Sequence, residues 1–149
     1  MGSIKTSRRK TKTTLPKNGR PNQKVRNATP NEYDGIAFKS KLEVYCYKQL
    51  KKYKLRPEYE KIAFTIIPEF TYDGEKVRKM TFTPDFVGKN KDYVIECKGY
   101  ANESFPLRWK IFKYHLLTNN IKYNLYLPHN PREVDEVIEK LLELKRKKV

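Results

Sequence analysis

Thr83-Pro84-Asp85-Phe86 and Glu96-Cys97-Lys98, with ten residues between Asp85 and Glu96, are the most informative part of the sequence. The spacing is that of a strand, a short turn and a second strand. Val94, Glu96 and Lys98 alternate with Tyr93, Ile95 and Cys97, so Glu96 and Lys98 project from one face of the second strand. Two carboxylates brought together this way can hold a hard divalent cation such as Mg²⁺, which keeps waters and also binds phosphates. A neighbouring ammonium can offset charge that builds on a phosphate. Taken alone, an acidic–x–Lys triplet on a strand is ordinarily a solvated face with a weak ion pair. Its company here is Pro-Asp at the preceding strand end, Gly99 straight after, and a strongly basic chain.

The chain has 149 residues, enough for one domain with a real core, and a net charge of +16 from 33 basic and 17 acidic side chains. That excess is concentrated at the ends. Residues 1–31 carry nine basic side chains, among them Arg8, Arg9, Lys10, Lys12, Arg20, Lys24 and Arg26, and no acidic one. Lys145 to Lys148 add four more, which leaves only about three of the net charges between Glu32 and Leu144. Arms of this kind neutralise phosphates and release counterions. With almost nothing to bury, residues 1–31 are expected to be a disordered, DNA-binding arm, and 32–149 a single domain.

No stretch has the apolar run of a signal-peptide core or of a spanning helix, so a cytoplasmic protein is expected. Cys46 and Cys97 are far apart and read as buried thiols of a reducing compartment. His115 and His129 are isolated, without zinc-like spacing.

Periodicity predicts a first helix over Ile36 to Tyr53, with Phe38, Leu42, Tyr45, Cys46, Gln49 and Tyr53 on one stripe, Leu50 widening it and Glu43 at its edge. A strand is expected over Tyr59 to Ile67. A hairpin follows, made of Phe70 to Tyr72 and Lys76 to Val87 around Asp73-Gly74. Next come a strand over Asp92 to Lys98 and a helix capped by Ser104, with Phe105, Trp109, Phe112 and Leu116 on one face. Ile121 to Leu127 alternates as a strand, and Asn130 starts a last helix with Val134, Val137, Ile138, Leu141 and Leu142 as its core stripe. The expected fold class is α/β, in the order α-β-β-β-α-β-α around a mixed sheet. Arg108, Lys110 and Lys113 read either as a solvated helix face or as more basic surface. Trp109 reads as core or as a stacking platform for an exposed base.

That order resembles the restriction-endonuclease-like αβββαβ core of the PD-(D/E)xK nuclease superfamily, with an extra C-terminal helix. Ala37-Phe38-Lys39-Ser40-Lys41-Leu42-Glu43, Glu58-Tyr59-Glu60, Thr81 to Phe86 and Glu96 to Gly99 are similar, in order, to the bacteriophage endonuclease I family of Holliday-junction resolvases and to related small phage nucleases. The resemblance implies a Mg²⁺-dependent endodeoxyribonuclease for branched DNA, with Mn²⁺ able to substitute. By motif position it implies Glu43, Asp85 and Glu96 as metal ligands and Lys98 as the catalytic lysine. Ser40-x-x-Glu43 is equally a capping box, and Glu60 beside Lys61 is equally a surface charge. The resemblance further implies a homodimer. Family resolvases intertwine through a bridging strand, whereas Asp73-Gly74 predicts a local hairpin here. A nuclease for linear duplex and a non-catalytic DNA-binding protein are the alternatives.

Overall fold

The computed structural model describes residues 31–99 and 104–149. Its main sheet has the order β10-β9-β8-β3, made of Asn124–Tyr126 (β10), Tyr93–Ile95 (β9), Phe86–Gly88 (β8) and Pro57–Tyr59 (β3). β10 runs parallel to β9, and the other two pairings are antiparallel, so the sheet is mixed. Three helices, Lys41–Lys52 (α1), Phe105–Thr118 (α2) and Pro131–Lys147 (α3), cover it. Main-sheet strands and helices follow one another as α1-β3-β8-β9-α2-β10, with α3 appended.

Strand alternation sorts the core into two layers. Phe86, Tyr93, Ile95 and Cys97 pack against Cys46, Tyr47 and Leu50 of α1 and Val134, Val137, Ile138 and Leu141 of α3. Val87 and Val94 pack on the other face against Phe105, Trp109, Phe112 and Leu116 of α2. Each of these large apolar side chains contributes about 1.5–3 kcal/mol by leaving water. The α2 and α3 stripes are those the periodicity predicts. Asn130 caps α3 through its side-chain oxygen, 3.0 Å from the Glu133 amide. Ser104 holds the N-cap position of α2, where its carbonyl accepts from the Arg108 amide at 3.2 Å.

Several boundaries differ from expectation. Ile36 to Phe38 is not helical: Asn31–Tyr33 (β1) and Ile36–Phe38 (β2) form a hairpin, and α1 begins only after Ser40. Asp34 and Gly35 both take positive φ (55° and 72°) at that turn, as a two-residue hairpin loop demands. The buried stripe of α1 is Glu43, Cys46, Tyr47 and Leu50: Cys46 and Leu50 are buried as expected, but Leu42, Tyr45 and Gln49 are only partly so, and the stripe is turned toward Glu43 and Tyr47. Glu43 therefore sits on the buried stripe rather than at its edge.

The strand expected over Tyr59 to Ile67 is two, β3 and Phe64–Ile67 (β4), parted at Glu60, whose φ is +43°. The segment from Lys76 to Val87 breaks into Glu75–Val77 (β6), Met80–Phe82 (β7) and β8. β4 pairs with β7, and Phe70–Tyr72 (β5) pairs with β6 in the local hairpin that Asp73-Gly74 predicts. Asp85 consequently lies at the bend just before β8 instead of ending a longer strand. Among the described residues, no helix is long and apolar enough to cross a membrane.

Candidate active site

The β8–β9 register pairs Phe86 with Ile95 and Val87 with Val94. Continued by one residue, it sets Asp85 opposite Glu96. Side chain and backbone then cross-link the two chain segments. The Asp85 amide donates to Glu96 Oε2 (3.1 Å), and the Cys97 amide donates to Asp85 Oδ2 (2.7 Å). On the other side, the amides of Glu96 and Lys98 donate to the carbonyls of Tyr126 and Pro128, each at 3.0 Å. The motif is thus extended between two neighbours, and the expected alternation holds. Lys98 Nζ lies 2.8 Å from Glu96 Oε1, while Cys97 turns to the opposite layer. Cys46 and Cys97 are both buried and free of disulfide.

Asp85 and Glu96 are buried, at 7% and 4% exposure. Burial pushes the Asp85 carboxyl up to about 8, helped by the charges of Glu96 and Glu43 and opposed by the Cys97 amide and Lys98. Burial likewise raises Glu96, against the pull of Lys98. Two buried acids that resist ionising side by side are a site that gains from a cation.

Among the described residues, no group of three or more His, Cys, Asp or Glu side chains is arranged to hold a metal ion. Mg²⁺ does not require one. It is ordinarily bound through one or two carboxylates, several waters and substrate phosphates, and the Asp85–Glu96 pair fits that donor set.

Glu43 stands apart from this pair in its bonding. Glu43 Oε2 accepts from the Tyr59 hydroxyl (2.6 Å) and the Lys39 amide (3.1 Å), and Oε1 accepts from Ser40 Oγ (3.0 Å). The Glu43 amide in turn donates to Ser40 Oγ at 3.2 Å. Ser40 and Glu43 therefore cap α1, with the carboxylate reaching back to the Lys39 amide. Its charge still acts on Asp85 and Glu96, so the helix cap and the carboxylate pair share one electrostatic environment.

Glu43→Ala is expected to cost about 2 kcal/mol, because Tyr59 and the helix start lose their acceptor. Glu43→Gln keeps an acceptor for Tyr59 and a donor for Ser40, and should cost less than about 1 kcal/mol. If the charge also serves the pair, both variants lose whatever DNA cleavage the pair supports. Melting and single-turnover cleavage of the two separate these roles; normal turnover by Glu43→Gln confines the site to Asp85, Glu96 and Lys98.

Three neighbours have no role assigned by the sequence alone. The Lys39 ammonium pairs with Glu60, which raises its pKa, and the charges of Asp85 and Glu43 add to that. The Glu60 amide donates to the Asp85 carbonyl at 2.9 Å, which fixes the backbone beside the carboxylate. Tyr59 holds Glu43, and burial raises its phenol well above the usual value. Lys39, Tyr59 and Glu60 all lie within the motifs of the family resemblance, but their convergence depends on β3 lying against β8.

A cavity of about 260 Å³ opens over Glu96 and Lys98, flanked by Thr81, Thr83 and Arg108. Arg108 donates to the Thr81 carbonyl. The arm residues Arg8, Arg9, Lys10, Lys12, Arg20, Lys24 and Arg26 lie outside the described residues, as does all of the arm expected over 1–31 except Asn31, which already belongs to β1.

No curated protein and no solved structure matches the chain. One family does, that described as "Protein of unknown function (DUF1064)", over residues 23–128. The match takes in Glu43, Asp85, Glu96 and Lys98, runs through β10 and ends before α3. Since it covers more than two thirds of the sequence, the chain belongs to the DUF1064 family.

Proposed function

We propose that this protein is a Mg²⁺-dependent endodeoxyribonuclease of the PD-(D/E)xK type that hydrolyses phosphodiesters in branched DNA, in the manner of a phage junction resolvase. One observation carries the reading: two buried carboxylates, Asp85 and Glu96, are placed side by side, with Lys98 Nζ 2.8 Å from Glu96. The order α-β-β-β-α-β through the main sheet supports a restriction-endonuclease-like core.

Asp85 and Glu96 would hold the metal, Mg²⁺ or Mn²⁺, while Glu43, engaged by Tyr59, Lys39 and Ser40, would act on it through its charge and not as the third ligand that the family resemblance implies. When bound, the ion supplies positive charge to a phosphate oxygen and makes water more acidic. Lys98 keeps its ammonium over the cavity, where it offsets charge that develops on the phosphate. Arg108 adds a second cation at the cavity wall. The basic arms grip duplex backbones through phosphates, which positions DNA without reading its sequence. A homodimer in the cytoplasm of the host cell would present two such sites to the paired strands of a four-way junction.

Incubation with a four-way junction and a matched linear duplex, each with and without Mg²⁺, tests the reading. Mg²⁺-dependent cleavage confined to the junction is expected. Equal cutting of the linear duplex would make this a restriction-like or repair nuclease. No cutting of either DNA with Mg²⁺ or Mn²⁺ would reduce it to a binding protein.

A further inference from the structure

A second opening lies on the α2 side of Lys98. It is a groove of about 360 Å³ between α2 and the segment that follows β10. Phe105, Trp109 and Leu127 form its apolar floor, and Lys98, Lys110 and Lys113 stand around it. Phe105 and Trp109 are stacked, with ring centroids 5.7 Å apart and planes 29° from parallel. Two ammonium groups lie over these rings: Lys98 Nζ is 4.5 Å from the Phe105 centroid, and Lys113 Nζ is 5.7 Å from that of Trp109.

Among the described residues, neither Lys110 nor Lys113 pairs with a carboxylate. Core packing accounts for the burial of Trp109 but not for two lysines gathered at an apolar opening without a carboxylate partner among the described residues. A solvated helix face accounts for the lysines but not for the apolar floor beneath them. The combination of flat apolar surface and positive charge suits a nucleotide, whose base has an apolar face and whose phosphate is an anion. A duplex buries its base faces within its own stack, so only an unpaired nucleotide can offer one. The groove is also of the size that takes a small ligand.

We propose that this groove receives one unpaired nucleotide of the DNA strand being cut, with its base against the Phe105–Trp109–Leu127 floor in place of the Lys113 ammonium over Trp109, and its phosphate between Lys110 and the displaced Lys113. The proposal rests on the nuclease reading, because Lys98 belongs to both the groove and the carboxylate site. It makes the recognised feature of branched DNA a base that has left its pair. Any base will serve, since each has a π-face.

Trp109 is the single tryptophan of the chain, so its emission reports on the groove without any turnover. The full chain, without metal, is titrated with hexathymidylate, an abasic hexamer of the same length, a closed hairpin duplex and an unstructured acidic peptide. Hexathymidylate is expected to change the emission, with the abasic hexamer binding at least about tenfold more weakly, the loss that follows removal of a stacked base. Lys110→Gln with Lys113→Gln should weaken hexathymidylate about tenfold or more while leaving the melting temperature in place, as both side chains are exposed. An equal response to the abasic hexamer or to the duplex overturns the proposal, as does no response at all. An equal response to the acidic peptide assigns the groove to a protein partner and overturns it too. If the chain cleaves no DNA with Mg²⁺ yet shows the expected titrations, hydrolysis fails as a function and the nucleotide groove stands.

Discussion

Asp85→Asn is expected to abolish cleavage and, at pH 8 without metal, to raise the melting temperature. The loss of turnover follows from removing one of two candidate ligands. Even partners one shell further out cost ten- to a hundredfold, so a fall of at least about a hundredfold is expected. The gain in stability follows from linkage. The Asp85 carboxyl is raised from 3.8 to about 8 in the folded chain. Between these values the folded state binds the proton that the unfolded state releases. Its contribution to stability is therefore complete below about pH 4 and is lost as pH rises through about 8.

Asparagine cannot ionise, and its carbonyl oxygen still accepts from the Cys97 amide, which lies 2.7 Å from Asp85 Oδ2. The variant's stability should stay flat where that of the wild type falls, with a difference of at least about 4 °C at pH 8. Mg²⁺ should raise the wild-type melting temperature at that pH and leave the variant's nearly unchanged. Glu96→Gln is not equivalent. Both Glu96 oxygens are engaged, one by the Asp85 amide and one by Lys98, so an amide NH₂ there must face a donor, at a cost of about 1–3 kcal/mol. Scanning calorimetry at pH 5 and pH 8, run beside a cleavage assay, reads all of this. Turnover by Asp85→Asn would remove the proposed site, and equal melting at pH 8 would mean that Asp85 carries no buried charge.

Removal of residues 1–30 should flatten the salt dependence of DNA binding. The cut leaves every described element whole, because β1 begins at Asn31. It removes nine positive charges and no negative one. Each phosphate no longer neutralised lowers the slope of log K against log salt by ~0.9 on duplex DNA. A chain that neutralises six to ten phosphates weakens about 10³- to 10⁵-fold in affinity between 50 and 200 mM salt, and the shortened chain should weaken far less. Cleavage should persist at saturating protein, since Asp85, Glu96 and Lys98 remain. Fluorescence anisotropy across a salt series gives the slopes. An unchanged slope would mean that the leader is idle in binding, and a selective loss of junction affinity would make it a recognition element.

The features legible in the sequence are those that depend on neighbours along the chain. The apolar faces of α2 and α3 follow from spacing alone, as does the projection of Glu96 and Lys98 to one side. The tight turn at Asp73-Gly74 takes positive φ at both residues (47° and 77°), as that dipeptide requires. The start of α1 departs from its periodicity because Phe38 lies four residues before Leu42 and so satisfies a helical period without being helical. The competing signals, Asp34-Gly35 and the Ser40 cap, are local too and outweigh it. A strand of three residues such as β2 is too short to show a period of its own. The break at Glu60 is not legible, since a glutamate at φ +43° is held there by contacts with Lys39 and the Asp85 backbone that arise only in the folded chain. The same holds for the amide of Cys97 on Asp85, which depends on a register between strands that only folding brings together.

Cys97 sits between the two residues of the motif that face the cavity, yet it belongs to the opposite layer with Cys46, Ile95 and Val134. Adjacent letters of one word therefore answer to different masters. Positions 96 and 98 are constrained by charge, and position 97 by the volume left between α1 and α3. Drift at 97 can be absorbed at 46 or 134 by repacking, with no change in what the cavity presents to solvent. A lineage that retunes its core would be free to do so in the middle of the candidate site's own triplet, and a search string that fixes all three letters would pass over its descendants.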